Sequence, residues 1–166
     1  MKKYKILFID LDGTLINTIT GKTFPVGVWD MKLDFELLDK IEKCGFDEIC
    51  IITNQGGVEK GFIDLGNLLN KIYYICSCIK EYTSTKCDFK VCFSNNKNDI
   101  HRKPNIGMIT DYLSDNDGKL EDCLMVGDAS GLPGQFSDSD KKTAKNAGVD
   151  YMDVSEFKSS EIWKNI

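Results

Sequence analysis

A chain of 166 residues, 42% hydrophobic and 28% charged, has the size and make-up of one globular domain whose core needs no disulfides. No apolar run approaches a membrane span, and the Met-Lys-Lys start leads to Asp10 and Asp12 rather than a signal-type stretch, so the reading is an intracellular protein of nucleus or cytoplasm. The net charge of −5 excludes a protein that coats duplexes by neutralising many phosphates, but not an enzyme that grips one phosphate or one strand end.

Seven cysteines, most inside strand-like or helix-like runs, fit reduced thiols in a reducing compartment. Cys76, Cys78, Cys87 and Cys92 lack the paired C-x₂-C spacing of a zinc site.

The first apolar run, 4–9, reads as a buried strand that delivers Asp10-Leu11-Asp12-Gly13-Thr14 to its C-terminal end. Side chains in an extended chain repeat every second residue, so Asp10 and Asp12 share one side. Carboxylates that close repel unless a cation or a shared proton relieves them, and Mg²⁺ prefers such oxygens. Alone, the pattern equally describes a strand ending in an Asp-Gly turn.

Residues 16–31 lack a regular period. Thr20-Gly21-Lys22-Thr23 looks like the end of a P-loop, but that motif needs Gly where Ile16 stands; a hairpin or flap turning at Gly21 is expected instead. Phe35, Leu37, Leu38, Ile41 and Cys44 mark an amphipathic helix, and 48–52 a second strand ending in Thr53-Asn54. Leu65 to Ile79 carries a longer helical pattern ending near Glu81, and 89–93 a strand ending in Ser94-Asn95. Pro104 suits the first turn of a helix bearing Met108, Ile109 and Tyr112. The run 123–127 ends in Gly127-Asp128, and Ser137 to Asn146 is a short polar helix stopped by Gly148. A weaker strand near 149–152 precedes a last helix from Ser155. Such alternation predicts an α/β fold: a Rossmann-like parallel sheet with helices on both faces and ligands beyond the carboxyl ends of its strands. With no linker or repeat, 1–166 reads as one domain.

Singly, Thr53 is a strand-end turn residue, Lys103 a surface lysine and Asp128 part of a Gly-Asp turn. In this order, with Asp10-x-Asp12, they resemble the four-motif signature of the haloacid dehalogenase superfamily. The resemblance implies a phosphatase with Asp10 as nucleophile, Asp12 as general acid and base, and Thr53 and Lys103 holding the phosphoryl group. Asp10, Asp128 and the backbone carbonyl of Asp12 would hold Mg²⁺. Asp138 and Asp140 are candidates for a further acid, or for the cap of the following helix.

Gly21-Lys22-Thr23-Phe24-Pro25 with Trp29, Thr53-Asn54-Gln55-Gly56-Gly57 with Lys60-Gly61, Arg102-Lys103-Pro104 and Val126-Gly127-Asp128-Ala129-Ser130-Gly131 are similar to the polynucleotide 3′-phosphatase branch, over roughly residues 5–157. Leu132 stands where that branch usually has Arg. The stretches between Thr14, Thr53 and Lys103 hold little beyond core elements, so a capless, open site is expected. The branch implies a 3′-phosphorylated DNA end as partner, a role in repair, and Asn54, Lys22, Lys60 and Arg102 as further substrate contacts; the kinase fused to many relatives is not expected, since no proper P-loop is present. Phe24 and Trp29 are either rings for base stacking or core side chains. Two other readings stand: a capless sugar- or histidinol-phosphate phosphatase, some of which carry a Cys/His zinc loop that Cys87, Cys92 and His101 do not match, and a non-catalytic end-binding module on the same fold.

Overall fold

Alternate residues of the first strand face opposite ways, and both sets are apolar and buried: Ile6 and Phe8 on one side, Leu7 and Ile9 on the other. A strand of that kind needs cover on both faces. The computed structural model, which describes residues 4–161, supplies it. In chain order the elements are β1 (Ile6–Ile9), β2 (Ile16–Asn17), β3 (Lys32–Leu33), α1 (Phe35–Cys44), β4 (Glu48–Asn54), α2 (Leu65–Thr83), β5 (Lys86–Cys92), α3 (Gly107–Asp115), β6 (Cys123–Gly127), α4 (Ser139–Ala147), β7 (Asp150–Asp153) and α5 (Val154–Ser159). Five strands form one parallel sheet in the order β5-β4-β1-β6-β7. Leu7 and Ile9 pack with the apolar faces of α1 and α2 and with Phe157 of α5, whereas Ile6 and Phe8 pack with α3 and α4.

Helix ends follow local chemistry. Asp34 caps α1 by accepting from the Leu37 N–H at 3.0 Å, and Gly45 ends it in the left-handed conformation at φ 65°. The flap expected between residues 16 and 31 is a long loop closed at its base by the antiparallel pair β2–β3. Its interior is organised by Asp30, fully buried, which accepts from the Thr20 N–H and hydroxyl and from the Val26 N–H at 2.8–3.0 Å. No large insertion follows Thr53 or precedes Lys103, so the carboxyl edge of the sheet carries no cap among the described residues.

Several boundaries differ from the sequence reading for identifiable reasons. The helix expected from Pro104 begins at Gly107, because Asn105 closes a turn on the Arg102 carbonyl and its side chain donates to the carbonyls of Lys97 and Asp99. The strand expected at 89–93 is Lys86–Cys92; it lies at the sheet edge, half-buried, and so shows less of the apolar signal. The last helix starts one residue before Ser155, capped by Asp153. The single domain read over 1–166 extends past the described residues at both ends.

Asp153 also accepts from the Ser130 hydroxyl at 2.6 Å and the Gln135 amide at 2.7 Å. Burial works against its charge, but these bonds prevail and hold its pKa at about 2. A depressed carboxyl stabilises the fold above its unfolded pKa, near 4, and loses that contribution as pH falls towards 2. Asp153→Ala is expected to cost about 2 kcal/mol at pH 7, and to flatten the loss of stability between about pH 4 and 2. Urea unfolding across that range measures both; an unaltered acid limb in the variant would rule out this role.

Candidate active site

Four loops at the carboxyl ends of β1, β4 and β6 and ahead of α3 bring the expected groups together. Asp10 leaves β1 almost buried, at 8% exposure. Its Oδ1 accepts from the Lys103 ammonium at 2.7 Å, and the same ammonium donates to Asp140 at 2.7 Å. The Thr14 hydroxyl lies 3.3 Å from both Asp10 and Asp128 and can donate to one at a time. Gly13 is required here: at φ +81°, a Cβ would stand 2.2 Å from an Asp128 oxygen. Gly127 is required for the same reason, since a Cβ there would meet Asp140 at 2.3 Å.

Lys103 is aimed by Asn54. The Asn54 side chain donates to the Lys103 carbonyl at 3.1 Å and accepts from its N–H at 2.9 Å. That clamp engages the Asn54 side chain and leaves the phosphate contact expected of this position to its backbone amide. Asp140 is not the cap of α4, a position held by Asp138, which pairs instead with Lys142 at 2.8 Å. Asp140 is buried, with one oxygen on Lys103 and the other accepting from the Ala129 N–H at 3.1 Å.

Burial raises the Asp10 carboxyl to about 6 against the pull of Lys103, with Asp128 and Asp12 adding to the rise. Burial raises Asp140 to about 6 as well, Lys103 opposing and Asp10 adding. Asp128 is raised by burial and then by Asp140. Burial works to discharge Lys103, but Asp10 and Asp140 outweigh it and raise its pKa. One ammonium thus faces three carboxylates. Oxygens of Asp10, Asp128 and Asp140 lie within 4.8 Å of one another, the one such group of metal-ligand type among the described residues. A hard divalent cation fits that donor set. With both Asp140 oxygens engaged, Asp10 and Asp128 are its available carboxylates.

The Asp12 carboxylate stands apart from this group and accepts from the Gln55 amide at 2.7 Å. Gln55, buried, also donates to the Thr53 hydroxyl at 2.9 Å. The sequence marks Gln55 by the Thr53-Asn54-Gln55-Gly56-Gly57 stretch and by its place two residues beyond Thr53, on the same side of an extended strand end, without indicating this role. The outlying basic residues are not gathered here. Lys22 and Lys60 are exposed, with no side-chain partner among the described residues, and Arg102 donates to the Ser94 carbonyl at 2.8 Å. His101 pairs with Asp111 at 2.7 Å, not with a thiol.

Residues 5–157 match the family described as polynucleotide kinase 3 phosphatase. The chain belongs to that family. It is a phosphatase of the haloacid dehalogenase type, similar to the 3′-phosphatase domain of polynucleotide kinases. It is 34% identical to an uncharacterised 20.8 kDa protein of Autographa californica nuclear polyhedrosis virus, over 94% of this chain and 86% of that one. It is 28% identical to the bifunctional polynucleotide phosphatase/kinase of Schizosaccharomyces pombe, over 94% of this chain but 38% of the yeast protein. Its fold is similar to that of a D,D-heptose 1,7-bisphosphate phosphatase from B. bronchiseptica, solved with magnesium and phosphate: TM-score 0.70 and 20% identity, over 91% of this chain and 79% of that one. No described helix is long and apolar enough to cross a membrane.

Without the ammonium, two buried carboxylates and the half-buried Asp128 would face one another. Lys103→Met is therefore expected to cost about 3–5 kcal/mol in urea unfolding with chelator present, and adding Asp140→Asn should return part of it. Unchanged stability in the single variant would mean that Lys103 does not neutralise the cluster.

Proposed function

We propose that the protein is a Mg²⁺-dependent phosphatase that removes 3′-phosphates from DNA ends through an aspartyl-phosphate, in DNA repair. The observation that carries the chemistry is the pairing of Asp10 with Lys103 beside a second carboxylate, Asp12, that takes no part in the pair. Asp10 attacks phosphorus, and the bond from phosphorus to the sugar oxygen breaks as the new one forms. Asp12 gives its proton to the departing alkoxide, then takes one from the water that opens the acyl-phosphate. Lys103 and the Thr53 hydroxyl hold phosphoryl oxygens, Lys103 being kept in line by Asn54 and Asp140. Asp10, Asp128 and the carbonyl of Asp12 are the groups that would hold Mg²⁺. Bound there, the ion would offset charge on the transferring phosphoryl group.

The polynucleotide substrate is supported by the family match and by an uncapped mouth flanked by exposed aromatics, among them Phe24, Phe62 and Phe136. Phe24 of the flap meets Phe136 edge-to-face, ring centroids 5.9 Å apart. The likeness to a heptose bisphosphate phosphatase keeps a small phosphorylated sugar as the second reading. A placement in nucleus or cytoplasm follows from the repair role.

A 3′-phosphorylated oligonucleotide should lose its phosphate quickly and the 5′-phosphorylated isomer should not; equal rates, or turnover of sugar bisphosphates alone, would favour the second reading. Asp10→Asn should abolish turnover with the fold intact, since an amide is a poor nucleophile at phosphorus. EDTA should silence the enzyme and Mg²⁺ restore it, whereas full activity in chelator would contradict the metal role of Asp128. With few phosphates held, log affinity for an oligonucleotide should fall with log salt at a slope of about −2 to −3, and Lys22→Ala should flatten it by nearly one contact. A slope steeper than about −6 would mean a much larger electrostatic footprint.

A further inference from the structure

A cleft of about 290 Å³ lies between the flap and the first turns of α2, lined by Trp29, Met31, Asn67, Asn70, Lys71 and Tyr74. None of these residues belongs to the catalytic cluster. The flap springs from Ile16, which bridges to Asp12, and α2 follows the loop that leaves Thr53, so both walls of the cleft are joined through the chain to the catalytic edge of the sheet.

Its lining is unusual in two respects. Lys71 is more than nine-tenths buried, yet its side chain has no acid, carbonyl or ring as partner among the described residues. With its stem buried and no counter-charge beside it, the Lys71 ammonium is available to an anion that enters the cleft. Trp29, by contrast, is 63% exposed although its place is fixed. Asp30 beside it anchors the flap through three hydrogen bonds, and the indole edge rests on Gly27, where a Cβ would stand 2.6 Å from Nε1. Tyr74 is 59% exposed, and the side-chain amides of Asn67 and Asn70 have no partner among the described residues.

Exposed rings, two free amides and one unpaired lysine meet the requirements of a nucleotide: a flat face to stack, polar base edges to bond and a phosphodiester to neutralise. We propose that this cleft is a subsite for one unpaired nucleotide of the substrate strand, upstream of the 3′-phosphate, with its base on Trp29 and its phosphodiester on Lys71. It rests on the 3′-phosphatase reading for the identity of the strand.

Binding can be tested apart from catalysis. In a Trp163→Phe background Trp29 is the one remaining tryptophan. A single-stranded hexathymidylate ending in a 3′-hydroxyl should quench its fluorescence saturably. Lys71→Met should weaken that binding about ten-fold, a loss of the size that stacking and one phosphate contact allow, and Lys71→Arg should recover most of it. In turnover, Trp29→Ala should lower the ratio of kcat/KM for 3′-phosphorylated hexathymidylate over p-nitrophenyl phosphate about ten-fold, through KM rather than kcat. Absence of quenching, or quenching indifferent to Lys71→Met, would overturn the subsite even if the 3′-phosphate is removed quickly. Quenching that depends on Lys71, in a protein that leaves the 3′-phosphate intact, would retain the subsite and sink the 3′-phosphatase reading instead. A dimer that buries Trp29 without oligonucleotide would give the cleft to a second copy of the chain and overturn the proposal.

Discussion

Everything at the carboxyl edge of the sheet is arranged around a charge imbalance: one buried ammonium among three buried or half-buried carboxylates. Lys103 can satisfy Asp10 and Asp140 directly, at 2.7 Å each, but it leaves Asp128 to the Thr14 hydroxyl, which must also serve Asp10. Such a cluster is stable only if every member is held to a few tenths of an ångström, because small displacements change large opposing electrostatic terms. The neighbouring backbone is shaped accordingly. Gly13 and Gly127 remove side chains where carboxylates must pass, and Asn54 grips the Lys103 peptide at both its N–H and its carbonyl. A protein that only needed a stable edge would gain more from apolar residues there. The strain in charge makes sense when a cation and a phosphoryl group arrive to share it.

The sheet supplies the rigidity. Asp10 and Asp128 extend from adjacent parallel strands in register, Ile9 opposite Val126, and Thr53 from the strand on the other side of β1. Those three strands carry the most buried apolar residues of the molecule and are covered on both faces, so the groups at their ends inherit the stiffness of the core. Lys103 and Asp140 come from loops and helices and need extra holding, which is why Asn54 and the Ala129 N–H are committed to them.

This division explains how much of the molecule is legible in the sequence. Strand-end positions are legible because burial on two faces writes continuous apolar runs, and Asp10, Asp12, Thr53 and Asp128 sit at the ends of such runs. The flap is legible as a hairpin through its lost periodicity, though its hydrogen-bonded turn lies at Gly27–Asp30 rather than at Gly21, and the buried Asp30 that organises it is not legible. What escapes is long-range polar pairing. Asn54 bonding the Lys103 backbone and Gln55 reaching Asp12 leave no local pattern, since each joins a side chain to a group more than forty residues away in the chain. The start of α3 escapes for a related reason: Pro104 favours a helical first turn, but the Asn105 side chain finds better partners in the preceding loop. Trp29 shows the limit of hydrophobicity as a guide, for an indole in an apolar-looking segment stands two-thirds exposed.

The loop after β6 shows how a departure from the usual motif can be absorbed. Leu132 stands half-exposed, and the loop is held from within by Gln135, whose carbonyl accepts from the N–H groups of Ser130 and Leu132 at 2.8 and 3.1 Å. Its amide reaches Asp153, which also holds the Ser130 hydroxyl and caps α5. The segment between Asp128 and Asp140 is thus tied to the end of β7 by neutral and singly charged groups, and its geometry does not depend on an arginine at 132. A loop secured that way leaves its outer face free of positive charge. On the proposed reading, strand recognition would fall to the flap, which meets this loop through Phe24 on Phe136 and carries Lys22 and Trp29, and to Lys71 of α2. A specificity surface built on a flap rather than on a cap domain would keep the mouth wide enough for the proposed polymer end, while the chemistry stays on the rigid edge of the sheet.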